Sequence, residues 1–465
     1  MAAVQDLIVV GAGSGGFAAA VRAAQLGGKV TLIEKALYGG NCMNGACIPS
    51  KVLMTVVRLM ASIRKAGRYG IQVEQPKVDM EALHERKDLI IESLRMGTEQ
   101  LLTDRGIDLV QGRARFVTPD TVEVDGERFC AHNIVVATGS VAAQQPVEGI
   151  ELPDVIGTQE ALELREIPRR LAILGSQPWD VELAQYFHAM GSKVTLVEGG
   201  LQFLPGADRE IAQRLGKLLH DAGITIKRGM DVEVIRQADD GALVVILAEG
   251  GGEVSADRVI AGRRLPNSAG LGLHELGFKM GLGAVLVDER MQTNIPNVYA
   301  VGDVASPVAR CSGSMWSHEA NAEGIVASEN AMGRSSEMDY DPVPRCLYTW
   351  PEVAWVGLTE EQAEAQGIEV RVGKIPTAIN PYAMILDETA GMIKVVSGKK
   401  YGKILGAHIM APGAVELINA VSIAMLSEAT VGELMRFIPA HPAIGEALVD
   451  AAMDVEKRSL HLPDW

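Results

Sequence analysis

Aromatic residues make up only 4% of this 465-residue chain, cysteines number five, and no cluster of basic residues stands out anywhere along it. Each shortage excludes something. With a formal net charge of −16 and no concentrated lysine or arginine, the chain lacks what phosphate binding rests on, which argues against a nucleic-acid partner. Five scattered cysteines do not make the framework of a disulfide-stapled secreted domain. The opening stretch MAAVQDLIVVGAG has no basic start, apolar run and small-residue cleavage site, so a cytoplasmic location is expected. The most apolar late stretch, HIMAPGAVELINAVSIAML, carries Pro412 and Glu416 and shows helical periodicity; it is read as a core helix and not as a membrane span. What is present is globular: 48% hydrophobic residues, 22% charged, and 50 glycines that imply many tight turns. The length exceeds what one core accommodates and suggests about three domains.

The chain begins with a strand (DLIVV), a glycine turn (GAGSGG), a helix (FAAAVRAAQLGG) and a second strand (KVTLIE), which is one βαβ unit. Helices are predicted at roughly 48–66 and 79–103, followed by strands and the segment NIVVATGS. A weaker copy of the βαβ pattern starts at RRLAILG and closes on KVTLVE. From about residue 341 the texture changes to antiparallel-looking strands (YTWPEVAWVG, MIKVVS, KILGAHIM) with helices after them. The fold class read from this is α/β, with two Rossmann-like doubly wound dinucleotide-binding domains and an α+β C-terminal dimerisation domain. The expected boundaries are 1–145 with 271–340, 146–270, and 341–465.

A glycine-rich turn alone is weak evidence. Here it follows a strand, opens a helix and is matched by Glu34 at the end of the next strand. Gly11 permits the tight turn, Gly13 lets the backbone approach a pyrophosphate, and Gly16 allows close packing of helix on strand. The helix N-terminus then offers unpaired amides to phosphate. Directly afterwards comes GGNCMNGACIPSK. On a straight helix Cys42 and Cys47 would point more than about 100° apart, too far for a disulfide that needs Cα atoms about 5.5 Å apart. The segment must therefore be bent or its first half non-helical, which Gly39, Gly40 and Gly45 ease, with Pro49 suited to a first helical turn. Two unrelated buried thiols and a metal site are the other readings; no second Cys or His pair stands near at ligand spacing. A redox-active disulfide beside a bound dinucleotide is the favoured one.

With these residues in view the chain resembles the flavoprotein disulfide reductases (pyridine nucleotide-disulfide oxidoreductase class I), and among them the dihydrolipoamide dehydrogenase branch. The resemblance covers nearly the whole chain, in GAGSGG, GGNCMNGACIPSK, ATGS, YAVGDVA, HEANAEGIVA, PEVAWVGLTEEQA and AHPAIGEAL. It implies a FAD-dependent dithiol–disulfide oxidoreductase that works as a homodimer on a dithiol substrate, possible carriers including a lipoyl-bearing protein. It implies that Gly11, Gly13, Gly16 and Glu34 hold the ADP half of FAD. Ala114 and Thr138, Gly139 and Ser140 would lie against the cofactor, as would Asp303 and the helix start with Met315 and His318. Lys51, paired with Glu182, would sit beside the flavin. Cys42 would exchange with the substrate and Cys47 would face the flavin, each as a thiolate. His441, oriented by Glu446, would be the base, supplied across the dimer. Cys130, Cys311 and Cys346 stand singly and read as small buried or half-buried residues. Mercuric reductases carry a C-terminal thiol pair; this chain ends HLPDW.

The chain departs from the family in three places. In ILGSQPWDVELA the three glycine positions are held by Gly175, Gln177 and Asp180. Asp180 falls in the first turn of the helix, where an acid satisfies the dipole that phosphate would otherwise take, and Pro178 suits the first helical position. A carboxylate near a phosphate costs on the order of 1–3 kcal/mol, so NAD(P)H is expected to bind poorly or not at all, although Glu198 is placed to hold an adenosine ribose. Two alternatives follow: electrons pass to another, protein partner, or the protein is a flavin-bearing interaction protein without turnover. The segment between Asp303 and His318 is longer than in the family and contains Arg310 and Cys311, which would cover the flavin edge, dock a partner or form a surface bulge. GRRLPN is one residue longer, a change assigned to the nicotinamide side.

Overall fold

The computed structural model describes residues 4–463 apart from 75, 144 and 308–314; the stretch with Arg310 and Cys311, expected to cover the flavin edge, dock a partner or form a surface bulge, thus lies outside the described residues. The strand Gln5–Val10 is buried from Leu7 onward, with Leu7, Ile8 and Val9 fully enclosed, as expected of a parallel strand covered on both faces. It pairs in parallel with Val30–Glu34 on one side and Glu127–Val136 on the other. Asp108–Gln111 and Val298–Ala300 close the parallel row at its two ends. The last of these strands arrives more than a hundred residues after its neighbour, so the chain between them forms a separate body. Helix Ser14–Gln25 crosses helix Ser317–Ala331 almost backbone to backbone: a Cβ on Gly324 would stand 2.2 Å from the Gly15 carbonyl oxygen.

The intervening segment builds a second parallel sheet, in the order Thr225–Arg228, Lys193–Glu198, Arg170–Leu174, Arg258–Ile260 and Val155–Ile156, with an antiparallel meander beside it. The C-terminal part is a five-stranded antiparallel sheet in the order Arg345–Leu347, Val353–Gly357, Ile404–Met410, Met392–Gly398 and Val370–Pro376. Helix Gly445–Val455 lies directly on it, since a Cβ at Gly373 would meet the Ala451 carbonyl oxygen at 2.0 Å. The stretch HIMAPGAVELINAVSIAML is not one core helix. Its first residues end the strand Ile404–Met410, Gly413 turns the chain with positive φ, and only Ala414–Leu426 is helical. Ile418 and Val421 of that helix are buried, whereas Ile423 and Leu426 are each 65% exposed.

A buried ion cluster ties the second body to the C-terminal sheet. Lys394 lies inside the sheet strand Met392–Gly398, and its Nζ sits 2.7 Å from Asp208 Oδ2, 3.2 Å from Glu360 Oε2 and 3.4 Å from Glu210 Oε2. Asp208 also caps helix Arg209–Ala222 by accepting the Glu210 and Ile211 amides. Burial opposes the Asp208 charge, but neighbouring His408 and Lys394 and the capping amides hold its pKa below the ordinary carboxylate range. A depressed folded-state pKa gives stability that is present above the unfolded value and lost as pH falls through the folded one. Removing one partner of a buried pair leaves an uncompensated charge. Lys394→Met is therefore expected to lower unfolding stability by about 3–5 kcal/mol, read as a drop in denaturation midpoint at neutral pH, and to lose much of that deficit in acid, where Asp208 is neutral in both proteins.

Candidate active site

The first glycine turn is closed by backbone contact. Gly11 has φ +106°, a Cβ there would stand 2.3 Å from the Ala137 carbonyl oxygen, and one on Gly16 would stand 1.8 Å from the Gly11 carbonyl oxygen. Gly13, the N-cap of helix Ser14–Gln25, is open by contrast, its nearest obstacle being Gly40 Cα at 3.9 Å from an added Cβ. No acid stands in the first turn of that helix, so its amides face a cavity of about 840 Å³. Glu34 forms the cavity's edge, its carboxylate fixed by the amides of Ala12 and Ala36 at 2.8 Å each.

Gly39 and Gly40 both take positive φ, and a short helix Gly40–Gly45 breaks at Ala46 before helix Cys47–Lys65 begins. The required bend is thus a single residue with φ −141° and ψ −89°. It brings the Cys42 and Cys47 thiols into hydrogen-bond contact. The Cys42 thiol donates to Cys47, which lowers Cys47 to about 6; burial opposes this, and the Lys51 ammonium and the Ser317 hydroxyl, 3.7 Å from Sγ, add to it. Cys42 is raised by the same hydrogen bond and by burial. At neutral pH the reduced pair is one thiolate, Cys47, and one thiol. One helical turn on, Lys51 Nζ donates to Glu182 Oε2 at 2.7 Å, while Glu182 Oε1 accepts the Tyr348 amide at 2.9 Å. Burial works against the Lys51 charge, yet the Glu182 carboxylate outweighs it and leaves the ammonium above its ordinary pKa.

On the opposite wall Thr138 Oγ1 donates to the Asn267 carbonyl at 2.7 Å, and Ser140 donates to Asp303. Gly139, Met315 and His318 line the same space, His318 with Nε2 at 2.7 Å from the Pro344 carbonyl oxygen. Ala114 lines a smaller pocket that shares Gly11, Glu34 and Thr138 with the large one. Arg264 was not foreseen: its Nε donates to Ser140 Oγ at 2.9 Å, and its Nη2 lies 3.9 Å from Asp303 Oδ2. The segment GRRLPN therefore serves the Ser140–Asp303 wall and not the second glycine turn, because strand Arg263–Pro266 pairs with Ser140–Ala143. Ser317 and Tyr348 were likewise missed; an arginine two residues before Pro-Asn and the Ser before His318 were the available signals. Cys346, read as an isolated half-buried residue, does line this cavity.

Two expected elements stand apart. His441 Nδ1 is 2.8 Å from Glu446 Oε1, and Glu446 Oε2 accepts the Ala443 amide at 2.9 Å. The pair lies on the surface of the C-terminal sheet domain, with the His441 side chain 72% exposed, and a single chain does not bring it to the cysteines. The second glycine turn is also outside the cavity at Gly175 and Asp180, although Pro178, Trp179 and Glu182 of its helix reach it. Glu198 there accepts from Ser176 Oγ at 2.6 Å and from the Gly200 amide at 2.8 Å.

Residues 5–324 match the family model of the pyridine nucleotide-disulphide oxidoreductases, and residues 343–452 match the dimerisation domain of that family. The chain belongs to this family, whose members are FAD-dependent, and it is an oxidoreductase acting on sulfur groups that forms a homodimer. It is, more narrowly, a dihydrolipoyl dehydrogenase-like flavoprotein disulfide reductase. It is 38% identical to the dihydrolipoyl dehydrogenase of Thermus scotoductus, over 98% of each chain, and 35% identical to the mitochondrial one of Pisum sativum, over 98% of this chain and 92% of the other. Among solved structures the copper(II) complex of the HOCl-induced flavoprotein disulfide reductase RclA from Escherichia coli superposes with a TM-score of 0.85 at 29% identity, covering 97% of this chain and 99% of that one. These likenesses do not favour the alternatives in which nucleotide use or turnover has been lost.

The residues present fit FAD. The open amides over Gly13, the ribose-level carboxylate of Glu34 and an elongated cavity ending at Cys47 and Lys51 match a dinucleotide laid from phosphate turn to redox pair. Two outcomes follow. Gly16→Ala places a methyl group inside the Gly11 carbonyl and is expected to yield protein with little bound flavin, checked by absorbance after purification. In the dithiol state, thiolate absorbance is expected to titrate with a midpoint of about 6, and Cys42→Ala moves that midpoint up toward the ordinary thiol range because Cys47 loses its donor; an unmoved midpoint would assign the lowering to Lys51 instead.

Proposed function

We propose that this protein catalyses reversible two-electron exchange between a dihydrolipoyl-type dithiol, borne on a carrier protein, and a nicotinamide nucleotide, through FAD and the Cys42–Cys47 pair. The observation that carries the reading is the alignment of a polarised thiol pair and the Lys51–Glu182 ion pair along one wall of a dinucleotide-sized cavity. The names of the relatives supply the substrate class. The sparse cysteine count agrees with a cytoplasmic, reducing setting for such chemistry.

In the proposed sequence a substrate thiolate attacks Cys42 Sγ of the oxidised pair, the Cys42–Cys47 bond breaks, and Cys47 leaves as the thiolate its surroundings stabilise. The second substrate thiol gives its proton to the partner subunit's His441 and attacks the substrate sulfur of the mixed disulfide. The substrate departs as a disulfide and Cys42 leaves as a thiolate that takes up a proton. Two electrons now reside on the pair. Glu446 holds the imidazole by its Nδ1 so that Nε2 is the working nitrogen, and Lys51 keeps positive charge beside Cys47. FAD, when bound, supplies the electron acceptor for Cys47 and the donor to the nicotinamide.

Anaerobic mixing of the flavin-loaded protein with dihydrolipoamide tests this: two newly titratable thiols and a rise in long-wavelength flavin absorbance, both reversed on adding NAD, are the expected result, and an unchanged thiol count and spectrum overturns the reading. His441→Gln is expected to reduce dithiol turnover roughly 10²–10⁴-fold with flavin content unchanged; undiminished turnover would remove His441 from the mechanism.

A further inference from the structure

The chain contains the same strand–turn–helix twice, and the two copies differ at one decisive point. In the first, the three fingerprint positions Gly11, Gly13 and Gly16 carry no side chain, and a Cβ at Gly16 would overlap the Gly11 carbonyl oxygen at 1.8 Å. In the second, Gly175, Gln177 and Asp180 occupy the equivalent positions, so a side chain stands where the first copy has no room for one. The Asp180 carboxylate lies buried in the first turn of helix Pro178–Ala189. Asp180 Oδ2 accepts the Gln177 amide at 3.0 Å and would lie 2.6 Å from a Cβ on Gly175. Gln177 is the N-cap, the counterpart of Gly13, whose amide is open to phosphate in the first copy. Asp180 is 1% exposed, and its Oδ1 has no hydrogen-bond partner among the described residues. Burial raises its pKa well above the ordinary carboxylate range, and Glu198 adds to the rise; such a group is a fixture of the turn and not a solvated surface acid.

We propose that Asp180 occupies the pyrophosphate place of the second dinucleotide turn and sets the protein's affinity for nicotinamide nucleotides, which must displace its hold on the Gln177 amide in order to bind. The proposal rests on the function argued above and deepens it: the nucleotide site is retained but attenuated by an internal carboxylate. A hydrogen bond between the amide and this buried carboxyl contributes roughly 0.5–1.5 kcal/mol, so freeing the amide corresponds to a gain of roughly two- to tenfold in affinity.

The probe is ADP-ribose, which presents the adenosine ribose and pyrophosphate without a hydride, titrated into the flavin-loaded protein by calorimetry. Asp180→Ala and Asp180→Gly are expected to bind it roughly two- to tenfold more tightly than the parent. Asp180→Asn, whose amide oxygen still accepts from Gln177, is expected to bind it as the parent does. The proposal is overturned if neither Ala nor Gly tightens binding, or if Asn tightens it as much as Ala does. Should the glycine variant fail to fold, the alanine variant, which keeps helix propensity, decides alone. Reduction of the Cys42–Cys47 pair by dihydrolipoamide is followed by thiol titration in the same preparations. If it persists while ADP-ribose affinity is unmoved, only the role of Asp180 fails; if the parent's pair is not reduced by the dithiol, it is the functional reading that fails, and the calorimetry still judges Asp180.

Discussion

At Ala46 the backbone leaves the helix for one residue and re-enters it, and this deviation folds Cys42 back over Cys47. A continuous helix would have sent the two thiols to different faces. Because the second helix restarts at Cys47 itself, its first turn delivers Lys51 to the same wall of the cavity, where Glu182 from the second body meets it. The thiol pair, the ammonium and the carboxylate that holds it are thus set by one break and one interdomain ion pair.

Electrostatics then divides the work between two chemically identical residues. Cys47 sits closer to Lys51 and Ser317 and receives the hydrogen bond, whereas Cys42 gives it. A thiolate is the better leaving group and the better donor of electrons, and a neutral thiol is the better resident at the substrate's side. His441 and Glu446 stand paired on the exposed face of the C-terminal sheet domain. In the proposed chemistry, which uses both this pair and the thiols, the site is completed only in the homodimer, and dimerisation is then a chemical requirement as well as a structural one.

The second body and the C-terminal sheet share one apolar core, with Ile211 and Leu215 clustered with Met392 and Met410, and buried charge is added to it. Lys394 reaches out of its sheet to three carboxylates, one of them the cap of helix Arg209–Ala222. Arg264 does the same for the wall of the cavity, joining Ser140 and Asp303 from distant parts of the chain. Such groups are costly to leave unpaired, so they fix a single arrangement of the domains around the cavity.

The βαβ units, the glycine fingerprint with Glu34, the Cys42–Cys47 pair and the α+β C-terminal sheet were all legible in the sequence, because each rests on local spacing: strand and helix periodicity, glycines where the backbone must approach closely, and thiols a fixed number of residues apart. Even the self-capping turn at Asp180 followed from position alone, since a helix N-terminus needs an acceptor whatever surrounds it. Arg264, Ser317 and Tyr348 were not legible as site residues. Their roles come from partners more than a hundred residues away or from the pairing of one strand with another, and no local pattern encodes which distant carboxylate, thiol or sheet edge a side chain will meet. Sequence determined the kinds of unit and the chemistry they carry; only tertiary packing decided that Arg264 would serve the Ser140–Asp303 wall, that Ser317 would reach Cys47, and that the Tyr348 amide would meet Glu182.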